Sequence, residues 1–464
     1  MRLSRTAVLP ADVVLPKYDR SAQKAGIVHF GIGAFHRAHQ AVYTDDAMNA
    51  GDRDWGIIGV SLRSPTVAAQ MNPQDGIYSV TERSKDGDKT RVIGAVKKVL
   101  VAANEPDALI AALASRDTHI VSFTITEKGY CRAPDGTLDF AQADDRSVYA
   151  YLAAAMQRRR ASKLGGLTLL SCDNLASNGA QLAELMRAYL QRCAPDLVSW
   201  FEDECTCPST MVDRIVPATT DDDRQSIAGV LGGLDEAAVV TEPFTQWVIE
   251  DNFAGRRPCW EVGGAQFTED VVPFETAKLR MLNGAHSALA YIGLQKGHEF
   301  VHQAVADPYI LKLANILMRE EAATSLKPAG EQNLASYADA LIARFANPAL
   351  NHRLIQIAMD GSQKIPQRWL ETLAFHQKQG RQCPAILEAV AAWIIHIRGT
   401  THVVEDPMRD TFKALWETAG AAHITSALFG HDGQFAPFWL ASQEDIALVN
   451  HRVCPVGVEG QRVI

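Results

Sequence analysis

Short β-branched apolar runs recur through the first half of the chain: GIVHFGIG (26–33), WGIIGVSL (55–62), THIVSFTIT (118–126), GLTLLSCDN (166–174) and AAVVTEP (237–243). Between them, apolar positions fall at helical spacing in residues 38–50, 106–115, 147–160 and 178–192. Alternation of such runs with helices predicts a mostly parallel sheet covered by helices on both faces. YSVTER (78–83) and TRVIGAV (90–96) read instead as an inserted antiparallel pair. After about Pro273 the pattern changes, and helical periodicity dominates residues 274–294, 308–323, 333–346, 351–377, 384–398 and 407–419. With no internal repeat or long linker, the expected architecture is an α/β domain over residues 1–272 followed by a mainly α-helical domain over 273–464.

Composition narrows the partners. At 464 residues, 47% hydrophobic and 21% charged, the chain can bury two sizeable cores. A net charge of −9 without any basic run argues against nucleic acid and against an anionic membrane surface, and favours a small-molecule partner. Monomer and small homo-oligomer both stay open. The eight cysteines are scattered without a disulfide-type framework, so reduced thiols are expected. Pro10 and Asp12 interrupt the amino-terminal apolar run, and no 18-residue apolar stretch follows, which together lead us to expect a cytoplasmic protein.

The first candidate chemistry is GIGAFHRAH (31–39), where a strand gives way to a helix through Gly31 and Gly33. In a Rossmann-type domain such glycines let the backbone of the turn, here Ala34, Phe35, His36 and Arg37, approach a pyrophosphate at the helix start. The third glycine of that fingerprint is replaced by His36, so a plain strand-to-helix turn stays open. The acidic residue that usually binds the adenosine ribose is also missing, since WGIIGVSLRS ends in Ser61, Arg63 and Ser64. Arg63 is either a partner for the 2′-phosphate of NADP or a solvated charge, and NAD is the expected cofactor with NADP open. His29, His36 and His39, and the pair Cys205 and Cys207, lack an evident complement of ligands, so no metal is expected.

The second is ETAKLRMLNGAH (275–286), an otherwise apolar helix interrupted by Lys278, Asn283 and His286. On an α-helix Lys278 and His286 stand roughly 80° apart, Asn283 and His286 roughly 60°, and Lys278 and Asn283 roughly 140°. Gly284 costs about 1 kcal/mol of helix stability relative to Ala and leaves room for a close approach. A partly exposed face with solvated Lys278 and Arg280 is the plain alternative. The functional reading is oxidation of a secondary alcohol without a metal: Lys278 takes the hydroxyl proton, Asn283 and Asn174 hold the oxygen, and His286 orients a neighbouring hydroxyl. Glu275, three residues before Lys278, relays its proton or tunes its charge.

Seven ordered stretches, GIGAFHRAHQ (31–40), TITEKGY (124–130), SCDN (171–174), MVDRIVPAT (211–219), EPFTQWVIEDNF (242–253), KLRMLNGAHS (278–287) and DGSQKIPQR (360–368), together resemble the long-chain mannitol dehydrogenase family. The resemblance spans almost the whole chain. It implies an NAD(H)-binding Rossmann-type domain with Glu127 on the cofactor side, a helical substrate domain, Lys278 as general acid/base, and Asn174 with Asn283 at the oxygen. It further implies His286 and Asp213 near substrate hydroxyls and Glu275 as a proton gate. Within the family, TEKGY, MVDRIVPAT and DGSQKIPQR, with Gln367 where mannitol dehydrogenases tend to carry a basic residue, look more like the fructuronate reductases. A ketouronate carboxylate needs a cation, and Lys128, Lys364 and Arg368 are the candidates, each of which is equally readable as surface charge. Mannitol, arabinitol or sorbitol is the alternative substrate class, and a nicotinamide-binding sensor without turnover or a metal-dependent enzyme the alternative of another kind. The end in GVEGQRVI looks short for the family and suggests a reshaped substrate domain.

Overall fold

The computed structural model describes residues 2–4, 7–330, 332–349 and 351–454, with the backbone alone at Glu127; the ending GVEGQRVI lies outside the described residues. Two compact units form, Met1–Val271 and Val272–Ile464. The first carries eleven strands among its described residues: β1 Ala25–Phe30, β2 Gly56–Ser61, β3 Tyr78–Glu82, β4 Lys89–Ile93, β5 Val96–Val101, β6 Ile120–Phe123, β7 Thr168–Ser171, β8 Thr210–Asp213, β9 Val239–Thr241, β10 Gln246–Glu250 and β11 Gln266–Thr268.

Five of them make a parallel sheet in the order β5-β2-β1-β6-β7. Its strands are apolar on both sides because both faces are covered: Ile27, Ile57 and Ile120 enter one core, while Val28, Phe30, Val60, Val121 and Phe123 enter the other. The expected insertion is present, with β3 and β4 antiparallel. Two placements differ from the sequence reading. AAVVTEP forms β9, which pairs with β3 in a separate three-stranded sheet instead of joining the parallel one, and the fifth parallel strand is β5, which begins within and just beyond TRVIGAV. Runs of three to six apolar residues do not encode which edge they join.

The second unit is helical around a core that includes Met281, Leu289, Tyr291, Trp369 and Trp393. The helix Gly284–Gln295 is buried at ten of its twelve positions, as its apolar circumference requires. Residues 351–377 do not form one helix: Leu354–Ile357 and Gly361–Ile365 are separated at Asp360, which has φ 54°, before Pro366–Leu370 and Glu371–Gln377 continue the path. Three segments, Lys278–Asn283, Leu317–Ala322 and Pro366–Leu370, are π-helical turns inserted in α-helices. No helix among the described residues is long and apolar enough to cross a membrane.

Candidate functional site

In the first unit β1 ends where strand order reverses, with β2 on one side and β6 on the other, the point at which open α/β sheets bind ligands. Gly31 is demanded by the chain itself: its φ is +91°, and a Cβ there would lie 2.0 Å from the Thr124 carbonyl oxygen. Gly33 is not. Its φ is −78°, it is exposed, and a Cβ would meet nothing nearer than the Gly31 oxygen at 3.8 Å. An open place where a side chain could stand fits the close approach of a pyrophosphate, and Ala34 and Phe35 border it half-buried.

The side chains of His36 and Arg37 are engaged inside the domain, which leaves their backbone for the expected approach to a pyrophosphate. His36 is 1% exposed and stacks on His29 with ring centroids 3.4 Å apart; burial holds its imidazole well below the usual histidine range. The Arg37 guanidinium is buried and donates to the Ala237 carbonyl and, at 3.3 Å, to that of Gly33. His29 in turn bonds Ser122 Oγ at 2.7 Å and Thr124 Oγ1 at 2.8 Å. These histidines tie the turn to β6, and among the described residues no three His, Cys, Asp or Glu converge as a metal site.

Arg63, exposed beyond β2, and Lys128, exposed beyond β6, line one cavity of about 580 Å³ with Arg132, Gln142 and Gln181. Lys128 therefore shares its surroundings with the residue assigned to the cofactor. Asp173 organises the neighbouring loops. Its carboxylate accepts the backbone N–H groups of Ile125 and Thr126 at 2.9 and 3.1 Å and the Tyr130 hydroxyl at 2.9 Å, while burial raises its pKa. Asn178 closes the other side, donating to the Asp173 and Thr210 carbonyls at 3.0 and 2.9 Å. Asn174 thus leaves the carboxyl end of β7 in a braced loop, exposed, and Asp213 ends β8 at 8% exposure. Arg214 beside it is buried and reaches Glu82, the Ala38 carbonyl and the Glu242 carbonyl.

In the second unit Glu275, half-buried, lies in the helical turn Val272–Ala277 just before the π-turn. Lys278 opens that turn at 9% exposure and Asn283 closes it, half-buried. A π-turn bonds i to i+5, so residues five apart stand one turn above the other. The widening therefore replaces the 140° separation expected of an α-helix with a shared face for Lys278 and Asn283. Gly284 meets protein, not open space: Trp369 Nε1 and the Arg368 oxygen lie 3.5 and 3.4 Å from where its Cβ would be, and the indole donates to the Gly284 carbonyl at 3.1 Å.

Arg368, on the π-turn Pro366–Leu370, donates to Ser287 Oγ at 2.7 Å and to the Asn283 carbonyl at 3.4 Å; burial lowers its pKa to about 10. Lys364 donates to the Met359 carbonyl at 2.6 Å and stands 3.8 Å from Asp360, its amine pulled down by burial and then by Arg368. His286 packs against Phe345 at 4.8 Å and edge-on to His352 at 5.1 Å. Burial first, then His352, Arg344 and Arg368, hold its imidazole neutral. In the second unit Arg368 thus ties the Asn283 turn to the segment of Lys364 and acts on both Lys364 and His286. Sequence reading missed Asp173, although it stands inside SCDN, and also Trp369, Arg344 and His352, which no spacing ties to the Lys278 helix.

Comparison with known proteins agrees with this division. Residues 25–262 match the mannitol dehydrogenase Rossmann domain and residues 270–435 the mannitol dehydrogenase C-terminal domain. The chain is 40% identical over 444 residues to D-mannonate oxidoreductase of Escherichia coli, covering 91% of each chain. Among solved structures it is similar to mannitol 2-dehydrogenase of Pseudomonas fluorescens in ternary complex with NAD and D-mannitol (34% identity, TM-score 0.78, 98% of this chain and 96% of that one). It is similar also to a substrate-free D-sorbitol dehydrogenase (32% identity, TM-score 0.90, 97% of each). A glycine turn at the switch point of a Rossmann sheet, a π-turn that begins in lysine and ends in asparagine, and matches to both domains over most of the chain make this protein an oxidoreductase of the mannitol dehydrogenase family.

Proposed function

We propose that the chain is an NAD(H)-dependent, metal-independent dehydrogenase of open-chain sugar acids that interconverts D-mannonate and D-fructuronate. The observation that carries the reading is the π-turn that runs from Lys278 to Asn283, with His286 just beyond it held neutral and Arg368 donating to the Asn283 carbonyl. The relative named D-mannonate oxidoreductase supports the acid over the neutral sugar.

A bound nicotinamide supplies the hydride acceptor in oxidation and the hydride donor in reduction. Gly31, Gly33 and the backbone from Ala34 to Arg37 would hold its pyrophosphate, with Arg63, Glu127 and Lys128 on the same side. Lys278, as neutral amine, takes the alcohol proton as the C–H bond breaks, and as ammonium returns it in the reverse direction. Asn283 and Asn174 donate hydrogen bonds to the substrate oxygen as its charge changes. His286 and Asp213 hold flanking hydroxyls, and Glu275 passes the lysine proton to water. Lys364 and Arg368 serve the carboxylate, Arg368 through a guanidinium whose planar fork suits a carboxylate.

The second reading, a neutral polyol dehydrogenase, is favoured by the mannitol and sorbitol enzymes among the solved relatives. NADH and NADPH oxidation against fructuronate, tagaturonate, fructose, xylulose and sorbose separates the two. Turnover confined to the ketouronates supports the first reading; turnover of the neutral ketoses alone overturns it.

A further inference from the structure

β6 and β7 run side by side with Phe123 opposite Ser171, and the chain past them makes two turns, one leading to Glu127 and Lys128 and the other to Asn174. The first turn abuts the glycine turn of β1. Thr124 Oγ1 donates to the Gly31 carbonyl at 2.7 Å, and a Cβ on Gly31 would lie 3.3 Å from the Ile125 nitrogen. Thr126 then takes φ 61°, a left-handed conformation rare for a β-branched residue and kept only where the surroundings impose it. Asp173 meets this turn from the end of β7. Its Oδ1 accepts the Thr126 N–H at 3.1 Å, and its Oδ2 accepts the Ile125 N–H and the Tyr130 hydroxyl, each at 2.9 Å. Tyr130, 1% exposed, is fixed in turn by Ser171 Oγ at 2.6 Å and by the Tyr149 hydroxyl, which donates to its carbonyl at 2.8 Å. The main chain of Asp173 is held as well: buried Asn178 donates to its carbonyl at 3.0 Å and exchanges two bonds of 2.9 Å with the backbone of Thr210, which opens the strand that ends in Asp213. A half-buried carboxylate disfavours its own charge, yet an amide here would offer these three donors one acceptor oxygen instead of two.

We propose that Asp173 is a positioning residue for the reaction: one carboxylate holds both turns, and so fixes the direction in which the next residue, Asn174, presents its amide to the substrate oxygen. The inference rests on the reading of Asn174 as a donor to that oxygen. A donor that meets developing charge is effective only when it is held in place beforehand, and Asn174 is exposed, so its direction depends on the chain that carries it. The hydrogen bonds of Asp173 and Thr124 also join that chain to the glycine turn, which makes the substrate amide and the cofactor turn one connected piece.

The test is a double-mutant cycle on Asp173→Asn and Asn174→Ala, read as kcat and KM with fructuronate or fructose, whichever the parent reduces, alongside NADH titration by fluorescence and thermal unfolding. Asn174→Ala is expected to lower kcat about a hundredfold, as loss of an oxyanion donor does. Asp173→Asn is expected to lower kcat about tenfold or more, with substrate KM and NADH affinity within about threefold of the parent. In the Asn174→Ala background the same change should cost less than about threefold further, because Asp173 acts through that amide. Losses that multiply overturn the proposal, as does full kcat in Asp173→Asn while Asn174→Ala is impaired. Full kcat in Asn174→Ala overturns the reading of Asn174 and the proposal with it, and a parent that reduces neither sugar overturns the proposed function. Tyr130→Phe takes one donor from the carboxylate and serves the same cycle if Asp173→Asn lowers the Tm. A smaller fall in kcat that vanishes beside Asn174→Ala supports the proposal, and a fall that persists undiminished overturns it.

Discussion

Glu321 offers the sharpest physical test of how the second unit is held together. It lies in the π-turn Leu317–Ala322 at 4% exposure, and its two carboxylate oxygens accept the backbone N–H groups of Ala385 and Ile386, each at 2.8 Å, at the start of the helix Pro384–Ile397. Those donors favour the ionised form, but burial outweighs them and the pKa is pushed up to about 7 from a reference of 4.5. Below pH 4.5 the group is protonated whether the chain is folded or not, and contributes no pH dependence. Between 4.5 and 7 the unfolded chain releases the proton that the folded chain keeps, so stability falls as pH rises. Above 7 the fall is complete, at about 3 kcal/mol for a separation of about 2.5 units. Glu321→Gln removes the titration while keeping the shape, at a cost of about 1–3 kcal/mol for the N–H that an amide cannot accept. Urea unfolding of both proteins at half-unit steps from pH 4 to 8, followed by tryptophan fluorescence, should show the parent losing about 3 kcal/mol relative to the variant across that window. A difference that stays flat with pH would refute the reasoning, because the two N–H bonds would then have won over desolvation.

Three further outcomes are expected. Lys278→Ala should lower kcat by about 10²–10⁴-fold while NADH affinity stays within twofold; substantial turnover by the variant at neutral pH would remove Lys278 from the role of base. Gly31→Ala forces a side chain into the Thr124 carbonyl and should unfold the first unit at lower temperature, whereas Gly33→Ala has room within the chain and should keep its Tm. The latter should weaken dinucleotide binding about tenfold, or about 1.4 kcal/mol, in a fluorescence titration, and unchanged affinity would mean that nothing approaches that glycine. Trp369→Phe removes the donor to the Gly284 carbonyl and should cost about 1–3 kcal/mol in urea unfolding, with a fall in kcat at unchanged NADH affinity. Retention of full kcat would show that the π-turn does not need that brace.

Much of the organisation was legible because it depends on patterns the chain carries locally. Doubly buried parallel strands must be apolar throughout, so β1, β2, β6 and β7 announced themselves, and the change to helical period near Pro273 marked where helices take over. Residue type marked the Lys278 helix as a candidate for chemistry, since an amine, an amide and an imidazole have no packing reason to sit among Leu279, Met281 and Leu282. The arrangement of those groups was not legible. An ideal helix keeps Lys278 and Asn283 on different sides, and the extra residue that brings them together is stabilised by contacts from residues 366–370, some 85 positions away in sequence. The same holds for His36 and Arg37, whose place in the glycine turn does not reveal that their side chains are drawn inward by His29 and the Ala237 carbonyl.

By itself, then, the sequence determined the two-part architecture, the glycine turn and the candidates for the reacting groups, because hydrophobic period, turn chemistry and side-chain type act over a few residues. Only the tertiary structure decided that β9 leaves the parallel sheet, that Lys278 and Asn283 bound one π-turn, and that His352 stands against His286. Each of those depends on which distant segment a surface meets, and the free energy of that meeting is written in neither segment alone.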